Sequence, residues 1–171
     1  METNQQSEVK KASFWISQVS IIIATVLGVF LAASQGFEQA IRFDNVKAEK
    51  NNYYLRKSLQ DEITDNVAHI RAFITKVEQR IDKPEMVLET FVWRSMTYSS
   101  TALETPSDLL RDAKQFYRQV DEIMNTSYFS NQMKAKALGE LAASVEKNVL
   151  PKFEADTSAI RKSLQDRNLD V

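Results

Sequence analysis

The feature that most constrains this chain is a run of 26 residues without a charge between Lys11 and Glu38. Within it, Phe14 to Ala33 is an apolar stretch of 20 residues. About 20 residues of α-helix cross the hydrocarbon core of a bilayer, where only an internally hydrogen-bonded backbone is stable. Trp15 stands near one end, where its amphipathic ring favours the interface. The run predicts a transmembrane helix over residues 14–36, behind an N-terminal tail of residues 1–13.

Two other interpretations of the run are a buried core helix and a cleaved signal peptide. A soluble domain of this size seldom contains so long an uncharged stretch. The residues Ala32, Ala33 and Ser34 loosely resemble a signal-peptide cleavage site, but the apolar run is longer than the hydrophobic region of a typical signal peptide. The uncleaved anchor is therefore the favoured interpretation.

Small residues recur at every fourth position along the predicted span. Side chains of this size at this spacing make a shallow groove on a helix, and the groove lets a second helix approach closely in lipid. The pattern predicts a surface, here called the ridge, that packs against another membrane protein or a second copy of the chain. Chance is the alternative, since small residues are common in such helices. The ridge consists of Ser20, Ala24, Gly28, Ala32 and Gly36.

The basic residues near the span favour a cytoplasmic position for the rest of the chain. Lys10 and Lys11 precede the span, whereas five basic residues follow it within a short distance. Cytoplasmic flanks of membrane helices carry the excess of lysine and arginine. The excess is small, and the opposite orientation stays open.

The remainder of the chain predicts helices. Gly and Pro number only three each, too few for a fold with many tight turns. A polar neck over residues 37–54 precedes an apolar stripe with helical spacing from Leu55 to Ile81, on a helix expected to end at Asp82. Whether the helix of the span continues through the neck is left open. Further helices are expected over residues 85–98, over 107–125 behind a Thr105 cap, and around 138–164 with a kink or break at Pro151.

The predicted fold class is therefore all-α. One N-terminal transmembrane helix is followed by an antiparallel bundle of about four helices over residues 55–167. Residues 168–171 are expected to fray.

The charge and the absent motifs exclude several function classes. With 22 basic and 23 acidic residues the chain lacks the basic surface that a nucleic-acid-binding protein needs. Cysteine is absent and His69 is the single histidine, so neither a zinc site of Cys and His nor a two-histidine di-iron site can form. Together with Asp65, His69 is interpreted as part of an exposed helix face. No nucleotide-binding loop, zinc-protease motif or serine-hydrolase motif occurs, so neither an enzyme nor a cofactor is expected.

Other polar and aromatic residues carry weaker signals. The carboxylates of Asp61 and Glu62 are expected on a solvated face, because basic residues surround them. Tyr53 and Tyr54 are a possible contact surface near the neck, and Trp93 is expected in the core or in a groove.

One stretch resembles a loose group of uncharacterised bacterial single-span membrane proteins. The resemblance rests on Gly-Val-Phe-Leu at residues 28–31, Tyr-Leu at 54–55, and Leu59, Glu62, Ile63 and Asn66 in an acid-rich segment. It covers residues 24–66. It implies a location in the bacterial inner membrane and no particular activity.

The sequence as a whole predicts a non-enzymatic, membrane-anchored helical protein. Such a protein acts by protein–protein interaction, as an accessory, scaffold or assembly subunit of a membrane complex. The alternative is a single-span sensor or regulator whose bundle binds a ligand or a partner.

Overall fold

A computed structural model describes the backbone of residues 2–170 and the side chains of residues 14–99 and 102–170. Met1, Val171 and the side chains of the predicted tail lie outside this description. The chain divides into two compact units, Met1–Asn45 (the N-terminal unit) and Val46–Val171 (the core unit). Its elements are helices α1 (Glu2–Glu78), α2 (Phe91–Thr97), a 3-10 helix (Ser100–Glu104), α3 (Ser107–Asn125), α4 (Asn131–Asn148) and α5 (Leu150–Gln165).

Helix α1 runs without interruption from Glu2 to Glu78, so the helix does not stop at the predicted neck. Its stretch from Phe14 contains an 18-residue window with a mean hydropathy of 2.2, and it is long and apolar enough to cross a bilayer. Every side chain from Phe14 to Asn45 is exposed. The N-terminal unit therefore leaves an apolar helix surface uncovered.

The end of α1 differs from the expectation, because the helix stops at Glu78 and not at Asp82. Arg80 adopts a left-handed conformation with φ of 56°. Its N–H donates to the Val77 carbonyl at 3.0 Å, and the N–H of Ile81 donates to the Lys76 carbonyl at 3.0 Å. This pair of bonds is a Schellman motif, which satisfies the last carbonyl groups of a helix. Ile81, the last residue of the predicted stripe, consequently lies outside the helix and is exposed.

The predicted helix over residues 85–98 is only half present, since α2 begins at Phe91 and residues 85–90 form no helix. The cause is the buried amide of Asn66 on α1. It donates to the Glu89 carbonyl and accepts from the Glu89 N–H, both at 2.7 Å. These backbone groups would otherwise bond within a helix. Met86 and Leu88 turn toward the core while Val87 between them is exposed, an alternation that belongs to extended chain.

The later helices follow the predicted pattern closely. Helix α3 spans Ser107–Asn125 as expected, although Pro106 and not Thr105 takes the cap position. The Ser130 hydroxyl caps α4 by accepting from the Met133 N–H. The break predicted from Pro151 is present, because α4 ends at Asn148 and α5 begins at Leu150 with the proline in its first turn.

One hydrophobic core holds the core unit together, and the described residues 2–170 include no strand. Residues 59–73 of α1 share this core with α3, α4 and α5. Phe73, Phe116 and Phe153 are its largest fully buried side chains. Each contributes about 1.5–3 kcal/mol through removal of its surface from water. The stripes predicted from helical spacing thus supply the core.

Candidate functional site

The predicted ridge on the N-terminal unit is exposed along its length. A Cβ atom added at Gly28 or Gly36 would meet no atom within 4 Å. The Ser20 hydroxyl donates to the Ile16 carbonyl of its own helix at 2.8 Å. No described residue of the chain covers the ridge, so any contact on it would come from another molecule.

The three aromatic residues singled out from the sequence do not form one surface. Tyr53 is only 7% exposed and belongs to the core, whereas Tyr54 is half exposed and meets its ring edge-on at a centroid distance of 5.3 Å. Trp93 lies elsewhere, stacked on Tyr117 with centroids 5.4 Å apart and 17° between the planes. Of the three, Trp93 borders a groove between the 86–94 segment and α3.

His69 and Asp65 are both exposed on α1, as expected. His69 borders a shallow cleft of about 310 Å³ together with Lys76 and Glu85. Among the residues that the structure describes, no group of three or more His, Cys, Asp or Glu side chains could hold a metal ion.

A buried carboxylate, Glu62, joins α1 to α2 and α3. It is 4% exposed, which contradicts its expected place on a solvated face. It accepts from the N–H of Val92 at 2.6 Å, from the N–H of Trp93 at 3.0 Å, and from the Tyr117 hydroxyl at 2.6 Å. Helix α2 has no side-chain cap and no acidic residue in its own first turn. Glu62 therefore supplies the negative charge that the first N–H groups of a helix favour.

Burial raises the pKa of the Tyr117 phenol far above its ordinary value, and the hydrogen bond to Glu62 raises it further. The phenol is therefore neutral in the folded protein at every physiological pH and donates to the carboxylate. Both oxygens of Glu62 are occupied by these donors. Glu62 and the groups that donate to it thus form a structural clamp, which holds Trp93 and Tyr117 in place.

A line of polar side chains on α1 faces α5 and the 3-10 helix; it is called the polar seam and comprises Glu49, Asn52, Arg56 and Gln60. Nη1 of Arg56 donates to both carboxylate oxygens of Asp156, at 3.0 and 3.2 Å. Nε2 of Gln60 donates to Glu154 at 2.7 Å. Asn52 donates to Glu104, and Arg167 donates to Glu49. Asn52, Arg56 and Gln60 are each no more than 8% exposed.

The seam joins α1 to α5 through polar contacts. Removing Asp156 would leave the buried Arg56 guanidinium without its charged partner, which is destabilising. The Arg167 guanidinium lowers the pKa of the Glu49 carboxyl, with a smaller contribution from the Ser163 hydroxyl. Nζ of Lys50 donates to the Asp170 carbonyl at 2.7 Å, so the described part of the segment expected to fray contacts α1.

A groove of about 560 Å³ opens between the 86–94 segment and α3. This volume lies within the range of small-molecule sites, and methionine side chains adapt readily to different ligand shapes. Glu62 fixes both aromatic walls of the groove, since it binds the Trp93 backbone and the Tyr117 hydroxyl. The groove is lined by Met86, Leu88, Thr90, Trp93, Arg94, Tyr117, Val120, Asp121, Met124 and Asn125.

Sequence reasoning missed the roles of Glu62 and Asn66, although a signal was present. Glu62 stands three residues after Leu59, and Asn66 stands three residues after Ile63 and four before Ile70, so both lie at the helical spacing of the stripe that enters the core. A polar residue at a core position implies a buried partner. The partners themselves are backbone groups of residues 89–93 and the Tyr117 hydroxyl, and no sequence pattern pairs them with Glu62 or Asn66.

Comparison with known proteins found no significant similarity. No family model matches the chain, and no curated protein or solved structure is significantly similar to it.

Proposed function

We propose that the chain is a single-pass membrane protein without enzymatic activity that acts by binding other proteins. One observation carries the proposal: the side chains from Phe14 to Asn45 are all exposed, although 20 consecutive residues among them are uncharged and predominantly apolar. Each large apolar side chain left in water forgoes about 1.5–3 kcal/mol of burial. A bilayer supplies that burial, and the core unit is then an anchored helical bundle that presents surfaces to partners.

Membrane anchoring is tested by fractionation and carbonate extraction of the full chain. The native chain should stay with the membranes. Leu27→Arg, which places a charge in the middle of the span at a cost of about 2.5–3.5 kcal/mol, should release a measurable fraction. Lys57→Arg is a control without effect on the span. Complete extraction of the native chain would contradict the proposal.

The ridge is proposed as the part of the span that contacts a partner helix. Ala24→Ile with Gly28→Ile fills the ridge and should weaken cross-linking of the chain to itself or to another membrane protein in intact membranes. Ala33→Ile adds the same side chain away from the ridge and should leave the cross-links intact. Equal cross-linking of both variants would remove the ridge from the proposal.

Orientation completes the proposal. The excess of basic residues after the span supports a core unit on the cytoplasmic side of the bacterial inner membrane. A reporter that is active only in the cytoplasm, fused after Val171, should be active. Activity of a periplasmic reporter at the same position would reverse the orientation.

The groove supports a second candidate, a sensor or regulator that binds a small apolar ligand on the core unit. Its volume and its apolar lining with a few polar groups fit such a ligand. A ligand that binds the folded state selectively raises the melting temperature. Screening apolar compounds against the full chain in detergent, with Met124→Glu as the groove-blocking control, separates this candidate from the first.

A further inference from the structure

The groove on the core unit stands beside an apolar side chain that has no cover. Phe91 is 81% exposed at the first position of α2, and Thr90, Trp93 and Arg94 of the same segment line the groove. Phe91 and Arg94 are three residues apart on one helix, so they are surface neighbours. The core unit thus carries an apolar projection and an apolar recess side by side.

This arrangement is complementary to itself. In a two-fold symmetric dimer, a residue that contacts a second surface receives the reciprocal contact from the partner copy. If both copies are anchored in one bilayer and the axis is normal to it, each residue keeps its height above the membrane. Phe91 can then meet only a surface at its own height. The groove satisfies this condition, because three of the residues that line it lie within one helical turn of Phe91 in the sequence.

Charges at the groove are complementary as well. Arg94 lines it from α2 and Asp121 lines it from α3. Within the part of the chain that the structure describes, Asp121 accepts a hydrogen bond from Asn125 and the Arg94 guanidinium forms no ion pair. A two-fold axis placed between Arg94 and Asp121 would bring Arg94 of each copy toward Asp121 of the other. Opposite charges across an interface fix its register and exclude other pairings.

We propose that this groove binds a second copy of the chain, with Phe91 of each copy seated in the groove of the other and Arg94 paired with Asp121 across the axis. The proposal rests on the proposed function for the common membrane, which sets the two copies at equal height. It adds to that function the identity of the partner and the surface on the core unit.

The test uses the purified full chain in nonionic detergent, with mass measured by light scattering over a range of protein concentrations. All variants carry Ala24→Ile and Gly28→Ile, so that association through the ridge is suppressed. Phe91→Ala and Arg94→Glu should each raise the dimer dissociation constant about tenfold or more. Arg94→Glu combined with Asp121→Arg should restore it, because the exchanged charges pair again across the axis. Tyr128→Ala, at another exposed aromatic residue, should have no effect.

Cross-linking locates the contact, since the natural chain contains no cysteine. A Phe91→Cys chain mixed with a Met124→Cys chain should form a disulfide-linked heterodimer, whereas Tyr128→Cys mixed with Met124→Cys should not. A monomeric chain at all concentrations, or a dimer indifferent to Arg94→Glu and to Phe91→Ala, would overturn the proposal. Either result leaves membrane anchoring intact, because carbonate extraction tests that separately.

Discussion

Replacing Glu62 by glutamine tests whether the buried carboxylate holds α2 against α1. Glutamine keeps the length of the side chain and one acceptor oxygen. With that oxygen in the position of Oε1, the Trp93 N–H and the Tyr117 hydroxyl keep neutral partners. The new NH₂ group then faces the Val92 N–H, which lies 2.6 Å from Oε2 in the native protein. Two donors cannot bond each other, so this N–H is left without an acceptor.

The magnitude follows from the three bonds. A hydrogen bond to a charged group contributes about 1.5–3 kcal/mol and a neutral one about 0.5–1.5 kcal/mol. Two bonds that become neutral lose about 1 kcal/mol each, and the Val92 bond loses about 2 kcal/mol. The variant also no longer carries the cost of burying the charge of Glu62, and this offsets part of the loss. The expected loss of stability is about 3 kcal/mol, or roughly 1.5 M in the urea midpoint at an m-value of about 2 kcal/mol/M.

The assay is urea unfolding of the full chain in mild detergent, followed by the fluorescence of Trp93. The chain has two tryptophans, so Trp15→Phe makes Trp93 the single reporter. Asp61→Asn is the matched control, because Asp61 is the adjacent carboxylate, is exposed, and pairs with Lys57 at 2.6 Å. Its loss should cost at most about 0.5 kcal/mol. Glu62→Gln no more destabilising than Asp61→Asn would refute the clamp.

Three further predictions concern pH and helix stability. Above pH 10 the phenol of Tyr117 loses its proton in the unfolded chain but keeps it in the folded protein. The free energy of unfolding should therefore fall by about 1.4 kcal/mol for each pH unit above 10. Tyr117→Phe should abolish this dependence on pH, and Tyr128→Phe should leave it unchanged. Because Arg167 lowers the pKa of Glu49, the ionised carboxylate stabilises the fold above pH 4.5, the ordinary pKa of this group, and this stability is lost as the pH falls below that value. Acid denaturation should therefore occur at higher pH in Arg167→Gln. An unchanged denaturation profile would contradict the contact between Arg167 and Glu49. Gly139→Ala in the middle of α4 should raise the free energy of unfolding by about 0.5–1 kcal/mol in a thermal melt, since the added Cβ meets only an ordinary contact at 3.5 Å, and a loss of stability would show that the site is tighter.

Helix positions could be predicted where the local start and stop signals agreed with the spacing of the apolar residues that enter the core. The start signal at residues 105–108 and the apolar spacing together predicted the extent of α3, although not its cap residue, and Pro151 predicted the break between α4 and α5. The start of α2 was not predictable, because residues 85–90 have a helical composition but their backbone bonds to Asn66, 23 residues earlier in the chain. A contact at that separation leaves no periodic trace.

The candidate groove was likewise predictable only in part. Trp93 was recognisable from the sequence as a residue that packs in the core or in a groove. Its stacking partner Tyr117 and the facing Met124 both lie on α3, which is distant from Trp93 in the sequence. The recess therefore exists only after α2 and α3 meet.

The sequence alone determined the uncharged apolar run and the stripes that build an all-helical chain, because both depend on side-chain chemistry at short, fixed intervals along a helix. The tertiary structure decided which polar side chains are buried, and hence that Glu62 and Asn66 shape the wall of the groove while Asp61 and Asp65 face solvent. These pairs differ little in composition or neighbours. What separates them is the rotation of α1 against the other helices, which is set by the packing of the whole core.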